Sequence, residues 1–154
     1  YPRQSIASAS THDLPTLSGF WQAGDLSLGE QLGIYRGSVL QSLQQQRDTQ
    51  KQALLDALQQ AGAMPARDAK PAQKQPMTPK LNLAMHRFLA QTESALLGLQ
   101  PEDWLGMTSP VNVPGTVDEY PNWRRKLDVT LEAMFADKAV KQVLKAVSKG
   151  RKEG

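Results

Sequence analysis

Two stretches of this chain have the composition of β-strands, Arg3 to Ser10 around Ile6 and the apolar run Ser94 to Leu99, while the sequence between them carries helical periodicity. A helical connection between two strands makes them parallel neighbours. A parallel pair needs both faces covered and further strands beside it, because an isolated two-stranded sheet is marginal. The fold class that follows is α/β: two βα units joined by a mostly helical insertion, helix-rich and short of the strands a closed sheet requires. The run Ser94 to Leu99, apolar without alternation, reads as a fully buried strand.

The first strand leads directly into Ser8-Ala9-Ser10-Thr11-His12-Asp13-Leu14-Pro15-Thr16-Leu17. Pro15 suits the first turn of a helix carrying Leu17, Phe20 and Trp21. His12 and Asp13 then fall just past the strand's C-terminal end, where a fixed backbone hands over to a loop free to carry polar groups. The residues alone leave a plainer alternative open, with Asp13 capping that helix and His12 a surface loop residue.

Further along, Ser27 and Glu30 have capping-box spacing for a short helix within Asp25 to Gly33. Ser38 is placed to cap a long helix with Val39, Leu40, Leu43, Leu54, Leu55 and Leu58 on one side and Gln44 to Gln46 towards water, ended by Gly62. Four prolines among Lys, Gln and Ala make residues 62–79 a linker or surface loop. Thr78-Pro79 opens a helix in which Leu81, Ala84, Met85, Phe88 and Leu89 share a face, with His86 at its surface or boundary. Glu102 and Asp103 behind Pro101 read as acids capping a turn in solvent. Val111 to Pro121 is a Pro/Gly loop, followed by a helix with Trp123, Leu127, Leu131, Met134 and Phe135 on its apolar face. Asp137 caps a last amphipathic helix. The chain thus divides into 1–61, the strand and its helical excursion; 62–79, the loop; 80–148, a helix, the second strand, second loop and closing helices; and 149–154, a basic tail.

Composition narrows the function classes. At 154 residues the chain has the length of one ordinary domain, a size that buries ~68–70% of the unfolded surface. Its apolar runs are too short to cross a bilayer, so no membrane role is expected. The absence of cysteine leaves no disulfide or thiolate metal site, and the cytoplasm is the default location. Tyr1 is no start methionine, and an opening strand with no partner before it reads as the end of something longer. The net charge of +3 comes from the tail: residues 138–154 carry +5, which leaves −2 for the rest. Without interleaved aromatics that tail reads as a solvated helix end rather than a nucleic-acid surface. Two separated histidines make no metal site, and nothing in the sequence asks for a cofactor.

Ser10-Thr11-His12-Asp13-Leu14-Pro15-Thr16-Leu17 with Gly19-Phe20-Trp21, Pro110-Val111-Asn112-Val113-Pro114-Gly115-Thr116, and Tyr120-Pro121-Asn122-Trp123-Arg124-Arg125-Lys126-Leu127 occur in that order. Together they resemble segments of the bacterial 4-α-glucanotransferases, or amylomaltases, over about residues 5 to 148. The resemblance implies that the two βα units are the seventh and eighth, the last two, of a (β/α)8 TIM-type barrel whose upstream part is this chain's partner. It implies transfer of α-1,4-glucan segments between maltodextrins with a covalent glycosyl intermediate. Asp13 takes the place of that family's third active-site acid, the one that stabilises the transition state. His12 donates to the same sugar, and Asn112, Pro114, Gly115 and Trp123 line the substrate cleft. Nucleophile and acid/base match nothing here, so the fragment alone is expected to be inactive. Without the resemblance, Asn112 to Gly115 is a self-satisfied turn, Trp123 a core anchor, and the whole a non-enzymatic helical interaction module with a basic tail.

Overall fold

The computed structural model describes residues 2–68 and 70–152, so Tyr1 and the last two positions of the tail, 153 and 154, lie outside the described residues. Strand β1 (Ile6–Ser8) pairs in parallel with β2 (Leu96–Gly98), with Ile6 opposite Leu96 and Ser8 opposite Gly98. Successive strand residues point to opposite faces. Ala7 is accordingly buried, whereas Ile6 and Leu96 share the other face and are 62% and 65% exposed. The expectation of a fully buried second strand is therefore corrected. Only one face of this sheet is covered by the described residues, and the apolar run of β2 has nothing over the other.

Between the strands run α1 (Leu17–Trp21), α2 (Gly24–Gln31), α3 (Gly37–Gln60) and α4 (Pro79–Ala90). Leu17 and Trp21, Leu55 and Leu58, and Leu81, Ala84 and Met85 meet in one core cluster. Residues 62–79 supply Ala63, Met64 and Ala72 to that cluster, and the carbonyl of Gln75 accepts the Trp21 indole N–H at 2.8 Å. The loop thus straps α1 to α3. Gly62, at φ 67°, ends α3 as expected: its N–H reaches Gln59 O and that of Ala63 reaches Leu58 O, satisfying two of the helix's last carbonyls.

Local chemistry departs from the sequence reading at several helix starts. Thr16, not Asp13, caps α1, accepting the Gly19 N–H at 3.0 Å, and Pro15 precedes the cap. Ser27 lies inside α2 with its hydroxyl turned back to Ala23 O, which leaves no capping box with Glu30. Ser38 lies within α3, which opens from Arg36 without a side-chain cap, and Val39 is exposed. In the middle of α3, Arg47 is buried: its guanidinium holds both Asp25 oxygens and the Phe20 carbonyl at 2.7 Å each, and it stacks on the Phe20 ring. That side chain docks α3 on the first two helices.

After β2 come α5 (Pro101–Leu105), α6 (Leu131–Ala136) and α7 (Lys138–Gly150). The helix expected from Trp123 onwards is absent over 122–130. Thr130 caps α6 by accepting the Ala133 N–H, and Trp123 takes a positive φ of 61° that no helix contains. Leu131 and Phe135 are exposed, and Met134 alone of the expected apolar face is buried. Asp137 does cap α7, accepting the Val140 N–H at 2.9 Å; α7 packs along α4 and buries Val140 and Val143. The tail is not simply solvated. Arg151 donates to the carbonyls of Thr92, Ser94 and Ala95 and so ties the end of α7 to the start of β2.

His86 also departs from its expected surface or boundary position. It is buried on α4, Nδ1 donates to the Asn82 carbonyl at 2.9 Å, and Nε2 has no hydrogen-bond partner among the described residues. Burial holds its pKa below the ordinary 6.5, despite opposition from that hydrogen bond and the nearby Asp103 carboxylate. The folded protein therefore keeps His86 neutral where the unfolded chain takes up a proton. The stability this contributes is complete above about pH 6.5 and is lost as pH falls towards the lower folded value, at up to about 1.4 kcal/mol per pH unit. In urea unfolding of the full-length protein, wild type is expected to lose stability between pH 7 and pH 5 faster than His86→Met. Parallel pH profiles for the two proteins would count against a buried neutral histidine.

Candidate active site

The loop between β1 and α1 leaves the sheet at the C-terminal ends of the strands. A turn closed by Leu14 N–H to Thr11 O lifts His12 and Asp13 into solvent. Their side chains remain 57% and 52% exposed, with His12 Nε2 3.1 Å from Asp13 Oδ2. The loop after α5 returns to the same place. Asn112 Nδ2 donates to Asp13 Oδ1 at 2.7 Å, so residues 99 positions apart share a hydrogen bond. The Trp123 ring lies 5.2 Å from the His12 imidazole, inclined at 46°.

The second loop is held by its own polar groups. Tyr120 donates its hydroxyl to the Pro110 carbonyl at 2.6 Å, and Trp123 N–H reaches Val111 O at 2.9 Å. Asn122 Oδ1 accepts the Val113 N–H, while its amide nitrogen donates to the carbonyl and hydroxyl of Thr116. Closing the loop in this way forces the positive φ at Trp123 and turns the indole out of any core, to 62% exposure. Trp123 is therefore not a core anchor. Pro114 and Gly115 form the exposed turn at the loop's tip, where Gly115 adopts φ 85°. No hydrogen bond or ring contact connects them to the other four residues, so of the six candidates the fold brings together His12, Asp13, Asn112 and Trp123.

Below this group lies a residue that the sequence reading set aside. Asp103 is 1% exposed rather than in solvent. Its Oδ2 accepts from Ser10 Oγ at 2.5 Å and its Oδ1 from Leu17 N–H at 2.7 Å. Its backbone carbonyl accepts from Asn82 Nδ2 at 2.7 Å. Burial pushes the Asp103 carboxyl above the ordinary aspartate value, while both donors and His86 pull it back. Glu102 is likewise engaged, paired with Arg125 at 3.2 Å. The polar contacts of Ser10 could not have been found by a local pattern, since its partner stands 93 residues away. Gly19 lets the two segments close up, because a Cβ there would stand 2.6 Å from the Thr108 carbonyl oxygen.

The resulting surface offers a carboxylate steadied by one amide, an imidazole and an exposed aromatic face. Hydroxyl-rich ligands suit it: the carboxylate accepts O–H donors, a ring N–H donates, and an indole covers C–H surface. Among the described residues, no group of three or more His, Cys, Asp or Glu side chains could hold a metal ion. No helix among them is long and apolar enough to cross a membrane.

Comparison with known proteins gives these features a setting. The family model described as 4-alpha-glucanotransferase matches residues 1–131. A 4-alpha-glucanotransferase of Haemophilus influenzae is 39% identical over 151 residues, covering 98% of this chain and 22% of that protein. Another from Mycobacterium tuberculosis is 32% identical over 148 residues, covering 92% of this chain and 20% of its own length. Among solved structures, amylomaltase from Corynebacterium glutamicum superposes with a TM-score of 0.85 at 27% identity, over 96% of this chain and 22% of that one. The chain therefore spans about a fifth of the length of the relatives it matches. With residues 1–131 inside the family's model and the fold shared almost end to end, this chain belongs to the 4-alpha-glucanotransferase family.

Proposed function

We propose that this chain is the C-terminal portion of a retaining 4-α-glucanotransferase acting on maltodextrins, and that β1 and β2 are the seventh and eighth strands of its (β/α)8 barrel. The observation that carries the reading is the Asn112–Asp13 hydrogen bond, which joins the two loops at the strands' C-terminal ends. Active sites of such barrels are built there, from loops after different strands. The open sheet face with Ile6 and Leu96 supports the same reading, because a barrel interior supplies the missing cover.

In this reading a substrate glucose ring sits over Asp13 and His12. The Asp13 carboxylate accepts hydrogen bonds from ring hydroxyls and, being negative, favours the positive charge that develops as the glycosidic bond opens. Asn112 donates to one carboxylate oxygen and so fixes its direction without neutralising it. His12 donates to the same sugar, Trp123 forms a wall beside it, and Pro114 and Gly115 form the rim. The proposal assigns the nucleophile and the acid/base, which must stand ~5–5.5 Å apart in a retaining enzyme, to residues outside this chain. No cofactor, metal, membrane or nucleic acid enters the reaction as proposed. An interaction module acting through a basic tail draws no support from Arg151, whose guanidinium is occupied by backbone carbonyls.

Disproportionation of maltotriose by the full-length protein, followed by chromatography of glucose and longer glucans, tests this. Asp13→Asn is expected to lower kcat by ~10²-fold or more, the scale of removing a group directed at the transition state. An active wild type unaffected by the substitution would remove Asp13 from the mechanism. Asn112→Ala, which frees the carboxylate to rotate, is expected to cost ~10-fold, less than Asp13→Asn; an equal or larger loss would mean that Asn112 itself contacts the sugar. Residues 1–154 alone are expected to turn over no maltotriose above a blank.

A further inference from the structure

The loop that carries His12 and Asp13 has little to hold it in place from within. Residues 11–14 are exposed, and one backbone bond, Leu14 N–H to Thr11 O, closes their turn. Besides the Asn112 bond to Asp13 and the Trp123 ring beside His12, what holds it is at its two ends. Ser10 and Leu17 flank it, both are buried, and both donate to the same carboxylate: Ser10 Oγ to Asp103 Oδ2 at 2.5 Å and Leu17 N–H to Asp103 Oδ1 at 2.7 Å. We propose that Asp103 is a positioning residue, a two-point latch that clamps both ends of the β1–α1 loop and thereby sets where Asp13 and His12 stand.

The latch is itself anchored. Asp103 lies in the first turn of α5, where its N–H reaches Gln100 O at 3.0 Å and its carbonyl accepts from Asn82 of α4. Two weaker straps run between the same segments: Gln100 Nε2 to Ser10 O at 3.3 Å, and Thr16 Oγ1 to Met107 O at 2.5 Å. Residues 100–107 thus hold the loop at Ser10, Thr16 and Leu17, and the chain continues from them to Asn112, which meets Asp13. A carboxylate suits the position because it accepts on both oxygens at once. An amide of the same shape keeps one acceptor for Leu17 and can still meet Ser10 Oγ by donating to it, whereas alanine releases both ends.

The inference rests on Asp13 taking part in the reaction, and the test separates the two claims. In the full-length protein, hydrogen exchange is measured for Asp103→Ala, Asp103→Asn and Ser10→Ala beside maltotriose kinetics at a temperature where each is folded. Asp103→Ala is expected to speed exchange of amides 11–17 at least ~10-fold with α3 and α4 unchanged, and to lower kcat ~10- to 100-fold with KM within ~3-fold. Asp103→Asn is expected to keep most of both, and Ser10→Ala to fall between. Asp13→Asn introduced into the Asp103→Ala protein is expected to cost under ~3-fold, because a carboxylate already misplaced has little left to lose. Unchanged loop exchange overturns the latch, and so does undiminished kcat with a loosened loop while Asp13→Asn alone is damaging. If Asp103→Ala does not fold, Ser10→Ala and Asp103→Asn carry the same two readouts. A silent Asp13→Asn in the wild-type background overturns the functional reading instead, and the latch then stands or falls on exchange alone.

Discussion

A carboxylate can be buried at tolerable cost only where donors converge on it, and Asp103 draws its two from residues 93 and 86 positions earlier in the chain. Those two bonds, with the Asn82 amide on its carbonyl, cross-link the first βα loop, α4 and α5 at one point. The arrangement is costly to alter piecemeal. Removing either donor leaves a buried acceptor without that partner, and removing the carboxylate leaves a hydroxyl and an amide N–H in the same position. The loop bearing Asp13 and the loop bearing Asn112 are brought together from this point, and the exposed group above it inherits that geometry.

Elsewhere the molecule uses arginine in the same way, as a multi-donor head that collects acceptors from different segments. Arg47 gathers Asp25 and the Phe20 carbonyl under α3, and Arg151 gathers three carbonyls at the start of β2. A planar guanidinium presents several donors in a fixed fork, which lets one side chain dock a helix on backbone that has no other partner. Neither docking point supplies cover for the sheet face carrying Ile6 and Leu96, which stand 62% and 65% exposed among the described residues. A chain so unevenly covered fits a portion of a larger enclosure, in keeping with the fifth of its relatives' length that it spans.

Features that rest on neighbouring residues were legible in the sequence. Thr78-Pro79 opens α4, Gly62 closes α3 and Asp137 opens α7, because a cap is chemistry between residues three or four apart. The two strands and their parallel sense also followed from pattern and from the long helical connection. His12, Asp13, Asn112 and Trp123 were legible as candidates through motif resemblance, and the fold brings them together. Hidden from the sequence were the burial of Asp103, read as solvent-facing, and of His86, read as a surface or boundary residue, and the non-helical backbone at Trp123. Residues distant in sequence override the local preference: Ser10 and Leu17 for Asp103, and Val111 O for the Trp123 N–H, while His86 ends buried with Asp103 nearby.

By itself, then, the sequence determined the elements whose energetics are local: the caps, the glycine stop at residue 62, the amphipathic faces of α4 and α7, and the strand–loop–helix order that puts His12 and Asp13 at a strand's end. Tertiary structure decided which polar residues went inside and which loops met. Burial of a charged or polar group is settled by whether donors and acceptors from remote segments arrive together, and no window of neighbouring residues contains that information. Asp103 and Asp13 differ little as sequence, each an aspartate near a proline at the head of a short helix. One became a buried clamp and the other an exposed carboxylate because the folded chain brought two buried donors, Ser10 and Leu17, to the first, and to the second Asn112, beside its exposed neighbour His12.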